Sequence, residues 1–414
     1  VKVYCIAGEA SGDLHGASLL AEWKRRDPSL QVRGWGGDLM QAQGMDLVKH
    51  YRETAFMGFA EVARNLRTIL GLLDLARKDL QAYAPDVLLL IDYPGFNLRM
   101  ARYAHALGIR VVYYISPQVW AWKEGRVRQI RQSVDLMLCI LPFEKDWYAQ
   151  RGMQVHYVGH PLADQCRPLE SEQVVATRQA LGIPSGPCVA LLPGSRLQEI
   201  RKHGSLMLRS LARLSGGGGV SGGGFVSGGE AVSRDGLVSS VFPISAVLAM
   251  APGVDRSVYL PLEEEARTLG LKLHCLERKT RELLGCADAA LVASGTATLE
   301  AALMGCPMVA VYRVHPLSYF IGKALVKVRY VSLVNLILDR EAVPERLQSR
   351  AIPTVLEAEL RSLLAPSSAA AAAQKQAFGE LRGLLARVNG DDRGATAAAR
   401  AADCIVRWAQ DSRG

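Results

Sequence analysis

Long apolar runs are missing from this 414-residue chain. None reaches the ~18–20 residues that span a bilayer, which excludes a transmembrane helix. A basic n-region followed by an apolar h-region is missing too, since Val1–Ala7 reads directly as a strand, and a cytoplasmic location is the expectation. The eight cysteines, Cys5, Cys139, Cys166, Cys188, Cys275, Cys286, Cys306 and Cys404, contain no C-x-x-C pair. Scattered mostly through apolar strands, they read as buried free thiols rather than disulfides or zinc ligands. No D-x-D triplet occurs, and the histidines at zinc-like spacing, His156 and His160, fall on a strand and its exit loop, where such side chains do not converge. Neither a metal nor a cofactor is therefore expected. The absence of a G-K-[ST] triplet also excludes a Walker-type phosphate loop.

What is present is an alternation of short apolar runs with helical stretches, over a length that suits two domains rather than one core. Val1–Ala7, Gln31–Trp35, Asp86–Asp92, Ile109–Ile115, Asp135–Leu141 and Val155–Val158 read as the strands of one doubly wound sheet. The pattern restarts with Pro187–Leu192, Ser245–Ala249, Lys272–Cys275, Asp288–Ala293 and Met308–Tyr312. The reading is α/β, with a first domain over 1–165, a second over 166–364, and a cleft between them near the carboxyl ends of their strands. Gly159–Arg167 is the expected hinge. A glycine-rich insert at 215–236 reads as a flexible surface loop, and 365–414 as a tail in which a polyalanine joint, Ala365–Ala373, leads into helix Gln374–Gln410. That tail is expected to cross back to the first domain or to a second subunit, forming a homodimer. The net charge of +9 favours acidic partners, and without a nucleic-acid module lipid or nucleotide is preferred.

Chemistry-bearing residues gather where strands end. Leu291–Arg313 reads as a compact βαβ unit whose turn, Ser294-Gly295-Thr296, opens a helix stopped by Gly305 and Pro307. Such a helix start aims unpaired N–H groups at a phosphate, with Glu300 within reach of a sugar hydroxyl, although an ordinary strand–helix turn looks the same. Pro193-Gly194-Ser195-Arg196 ends another strand, and Arg196 suits a diphosphate or a structural loop contact. Gly8 through Asp13 follows the first strand, where Glu9 and Asp13 offer carboxylates or cap the next helix. Asp92 ends the most apolar strand, placed either to deprotonate a hydroxyl or to form an Asx-turn before Pro94. Trp120 and Trp122, followed by Lys123, Arg126, Arg128 and Arg131, suit a sugar face beside a phosphate or a core indole beside a solvated helix.

Together the stretches Ala7–Asp13 (AGEASGD), Ile91–Asn97 (IDYPGFN), Tyr114–Trp122 (YISPQVWAW), Leu141–Lys145 (LPFEK), Gly159–Asp164 (GHPLAD), Leu192–Arg196 (LPGSR), Ala293–Glu300 (ASGTATLE) and Tyr330–Asn335 (YVSLVN) resemble the lipid-A-disaccharide synthase family, in that family's order over most of the chain. The resemblance implies a GT-B fold, two Rossmann-like domains facing across a cleft. It also implies metal-independent, inverting transfer of 2,3-diacylglucosamine from UDP to 2,3-diacylglucosamine 1-phosphate in lipid A biosynthesis. Asp92 is then the base with Glu9 beside it. Gly194, Ser195, Arg196, Ser294, Gly295, Thr296, Thr298, Glu300 and Asn335 bind the donor, and Ser11, Trp120, Trp122 and Arg126 the acceptor. Acylated substrates suit peripheral attachment to an anionic inner membrane through Phe56–Val62 and Leu66–Leu73, a stretch that equally suits a core-facing helix. Val334 departs from a usual proline, which is expected to loosen the loop presenting Asn335, and the glycine-rich insert is no family feature. A UDP-sugar 2-epimerase and a silent nucleotide-sugar binder are the rival readings.

Overall fold

Strands buried on both faces need apolar side chains at every position, and runs such as Val87–Ile91 supply them. The computed structural model describes residues 1–53, 66–122, 124–216, 244–293, 295–313, 329–386, 388 and 394–411. The chain forms two units, Val1–Asp164 with Leu385–Gly414, and Gln165–Leu384. The boundary falls inside Gly159–Arg167. Among the described residues no helix is long and apolar enough to cross a membrane, and the eight cysteines form no disulfide.

In the first unit, β1 (Lys2–Ala7), β2 (Gln31–Gly36), β3 (Asp46–His50), β4 (Val87–Ile91), β5 (Arg110–Tyr114), β6 (Leu136–Cys139) and β7 (His156–Tyr157) pair in the order β3-β2-β1-β4-β5-β6-β7. Every ladder is parallel. Alternation sends Tyr4, Ile6, Leu88 and Leu90 into one core and Val3, Cys5, Leu89 and Ile91 into the other. In the second unit, β8 (Cys188–Leu192), β9 (Ser245–Met250), β10 (Leu273–Glu277), β11 (Ala289–Ala293), β12 (Met308–Tyr312) and β13 (Glu345–Leu347) run parallel in the order β10-β9-β8-β11-β12-β13. The partly exposed edge strands β3 and β13 carry no apolar run, so the sequence pattern did not reveal them.

The tail differs from its expected form. Its polyalanine stretch is helix rather than joint, because alanine is the strongest helix former, and the helix runs Ala369–Ala386. Gln374 exchanges two hydrogen bonds with the Met308 backbone, at 2.8 and 3.0 Å, which fixes that helix to the second unit. The return to the first unit begins only at Leu385, whose carbonyl accepts from the Tyr157 hydroxyl at 3.1 Å. There helix Ala397–Asp411 buries Ala401, Ala402 and Ile405 in the core, and Arg400 donates to the Val158 carbonyl at 2.8 Å. The part of the insert from 217 to 236 lies outside the described residues.

Candidate active site

Doubly wound sheets bind ligands beyond the carboxyl ends of their strands, where the strand order reverses. In the first unit that point lies between β1 and β4, so the exits are Gly8–Glu9 and Asp92–Tyr93. Both Asp92 and Tyr93 are left-handed, with φ of 45° and 49°, a conformation rare outside glycine. Three groups hold it. The Asp92 carbonyl accepts from the Tyr113 hydroxyl at 2.6 Å and from Asn97 Nδ2 at 2.8 Å, and the Tyr93 ring lies where any Cβ on Gly8 would be 2.3 Å away. An Asx-turn is excluded because Pro94 has no N–H to give; the carboxylate accepts from the Tyr93 N–H instead. Burial, with the Glu9 carboxylate adding to it, raises the Asp92 pKa to about 6.

Glu9 is the exposed N-cap of helix Ala10–Arg26 in position only, since its side chain makes no capping bond. Asp13 does not cap that helix either. It is buried within it and accepts from the N–H groups of Gly37, Leu39 and Met40 at 2.8, 3.2 and 3.0 Å, fixing the start of the next helix. Ser11 is exposed on the first turn, and Arg126 is half-buried near Tyr113, whose hydroxyl burial holds well above its ordinary pKa despite that positive charge.

Trp120 corrects the expectation of a sugar face: it is buried, and its indole N–H donates to Glu144 Oε1 at 3.1 Å. Burial raises the Glu144 pKa to about 7 although the N–H groups of Leu141 and Ile140 and the Trp120 indole all donate to it. Trp120→Phe should therefore lower the unfolding free energy by about 1–3 kcal/mol in denaturant melts and leave the acceptor KM within about twofold. A steep rise in acceptor KM at unchanged stability would restore Trp120 to the acceptor surface. The Trp122 side chain, Lys123, Ser294 and the stretch Phe56–Val62 lie outside the described residues. Of the remaining apolar stretch, Ile69, Leu72 and Leu73 pack into the core, whereas Leu70 and, one turn on, Leu75 are exposed at 54% and 43%.

In the second unit the order reverses between β8 and β11, whose exits are Pro193–Arg196 and the Gly295 turn. Gly194 has φ of 115°, and a Cβ there would lie 2.6 Å from Glu199 Oε2, so only glycine fits. Ser195 and Arg196 are exposed, and Arg196 pairs with Glu199 at 3.0 Å. Helix Leu197–Leu214 starts there, and helix Thr296–Leu303 starts beyond Gly295, whose φ is 137°. Two helix N-termini and a guanidinium thus sit at one switch point, an arrangement that suits a diphosphate. Thr296 is exposed at the start of its helix, and Glu300 accepts from Arg281 at 2.8 Å.

Two of the residues expected to bind the donor turn inward. Thr298 is buried and returns its hydroxyl to the Gly295 carbonyl at 2.8 Å, shaping the turn from inside. Asn335 is buried with its amide fully engaged: Nδ2 donates to the Val343 carbonyl and Glu345, and Oδ1 accepts from the Ala342 and Val343 N–H groups, at 2.7–2.9 Å. It fixes a loop and has no capacity left for a sugar. Val334, the departure from proline, is buried in the first turn of helix Leu333–Leu338. Asn97 and Glu144 lie in stretches that carry the resemblance but were given no role of their own, whereas Tyr113, Arg281 and His203 escaped the sequence reading because their strand or helix setting carries no separate signal. Among the described residues no cluster of three or more His, Cys, Asp or Glu is arranged to hold a metal ion.

Two doubly wound units with ligand-type loops at both switch points define a GT-B protein. The solved UDP-GlcNAc 2-epimerase of Neisseria meningitidis, bound to UDP-GlcNAc, superposes with a TM-score of 0.59 at 12% identity, covering 99% of this chain and 100% of that one. A glycosyltransferase of Rickettsia africae gives 0.54 at 10% identity, covering 98% and 97%. The family model for lipid-A-disaccharide synthetase matches residues 3–216 and 247–392. The lipid-A-disaccharide synthase of Myxococcus xanthus (strain DK1622) is 39% identical over 406 residues, 98% of this chain and 97% of the relative. The chain belongs to the lipid-A-disaccharide synthetase family.

Proposed function

We propose that this chain joins UDP-2,3-diacylglucosamine to 2,3-diacylglucosamine 1-phosphate, releasing UDP and forming the β-1′,6 disaccharide of lipid A biosynthesis. The observation that carries the reading is a half-buried, strained Asp92 at one switch point on a chain of this family, whose other switch point carries Arg196 and two helix N-termini. Asp92 removes the proton from the acceptor O6 as that oxygen attacks the anomeric carbon from the face opposite the diphosphate, inverting the centre. The N–H groups of the exposed residues Ser195 and Thr296, with Arg196, stabilise the charge that develops on departing UDP, so neither a metal nor a cofactor is required. Glu9 and Ser11 border the acceptor. The test is UDP release by the purified chain with EDTA present, expected only when both acylated substrates are supplied. Release from the donor alone, or conversion of UDP-GlcNAc to its 2-epimer, would replace this reading with a hydrolase or an epimerase.

Attachment to the cytoplasmic face of an anionic membrane belongs to the same proposal. The exposed face of helix Leu66–Tyr83 presents Leu70 and Leu75 between Arg67 and Lys78, on a chain of net charge +9. Binding to anionic vesicles in flotation is expected at low salt and should weaken as salt screens it. No flotation at low salt would contradict it.

A further inference from the structure

His203 lies within helix Leu197–Leu214 at 0% exposure. Its Nδ1 is 2.9 Å from the Pro193 carbonyl oxygen, and its Nε2 is 3.0 Å from the Arg313 backbone nitrogen and 3.2 Å from the Arg313 carbonyl oxygen. A backbone N–H only donates, so Nε2 accepts from Arg313 and carries no proton. The ring proton then sits on Nδ1 and is donated to Pro193.

Pro193 leaves β8 and Arg313 leaves β12, and these strands are not neighbours, because β11 runs between them. The ring therefore ties together two exits that flank the Gly295 turn. From the preceding turn of the same helix, Glu199 packs against Gly194 and pairs with Arg196. One helix thus braces the Pro193–Arg196 loop at both ends. We infer that His203 is a positioning residue for the donor diphosphate, holding the loop of Gly194, Ser195 and Arg196 in register with the segment that leaves β12. The inference rests on the proposed function.

The experiment compares His203→Leu, His203→Asn and His203→Gln with the unmodified chain, measuring UDP affinity by calorimetry and KM for each substrate. The leucine variant strands the Pro193 carbonyl and the Arg313 N–H. Its UDP Kd and donor KM are expected to rise about tenfold, with the acceptor KM within about twofold. Asparagine can still donate from the Nδ1 position and glutamine can still accept near Nε2, so each should recover part of the loss. If the leucine variant does not fold, the asparagine and glutamine variants carry the same test through their donor KM. Equal rises in both KM values, or unaltered UDP affinity in folded variants, would overturn the inference and leave His203 a core residue. An unmodified chain that binds UDP yet makes no disaccharide would sink the functional reading alone, because the affinity measurements still decide the role of His203.

Discussion

Replacing Asp92 by Asn should cut turnover by about 10²–10⁴-fold, the range that general base catalysis supplies, while UDP affinity stays within about twofold. Asparagine keeps the size of the side chain. The Tyr113 and Asn97 bonds go to the residue 92 carbonyl and are untouched by the change. The pH profile gives the sign. Burial first, then Glu9, raises the carboxyl to about 6, and the base is its ionised form, so kcat/KM for the unmodified enzyme should fall tenfold per unit below about pH 6. Glu9→Gln removes the negative neighbour, lowers the Asp92 pKa and shifts that limb to lower pH, with its kinetic effect mainly on acceptor KM. Stability runs the other way. Because the folded pKa lies above the ordinary 3.8, the stabilisation is complete below 3.8 and lost as pH rises through about 6. Asp92→Asn is thus not expected to destabilise the fold at neutral pH. Near-normal turnover in Asp92→Asn, with the collapse in Glu9→Gln, would transfer the role of base to Glu9.

Arg196→Ala should weaken UDP binding and raise the donor KM by about tenfold or more, through loss of a charge-assisted pair to the diphosphate. The guanidinium is 64% exposed and, among the described residues, pairs with Glu199. An exposed pair of this kind contributes little to stability, so the melting temperature should not move and the guanidinium is released to a ligand at small cost. Arg196→Lys should restore only part of the affinity, since an ammonium cannot make the bidentate contact. UDP titration and donor kinetics read the effect; unchanged values for both in the alanine variant would remove Arg196 from the site.

The two sheets were legible because parallel strands covered on both faces are apolar throughout, whereas β3 and β13, half in solvent at the sheet edges, left no such pattern. The candidate site loops were legible for a related reason. Strand ends are marked by Gly, Asp and Pro, and the switch points of both sheets fall where Glu9, Asp92, Gly194 and Gly295 stand. Side-chain direction was not legible. Trp120, Thr298 and Asn335 are polar or aromatic residues beside those loops, and only their hydrogen bonds, to Glu144, to the Gly295 carbonyl, and to Val343 and Glu345, show that they turn inward. His203 was hidden likewise. A histidine in an amphipathic helix gives no sign that its ring joins two nonadjacent strand exits until the fold brings Pro193 and Arg313 to it.

The most direct measurement is the mass and anomeric configuration of the product formed when the purified chain is given UDP-2,3-diacylglucosamine and 2,3-diacylglucosamine 1-phosphate. The expected product is a tetraacylated disaccharide 1-phosphate, with the proton–proton coupling of a β linkage at the newly formed anomeric centre and one UDP released per disaccharide. An α-linked product, or UDP release without a disaccharide, would contradict it.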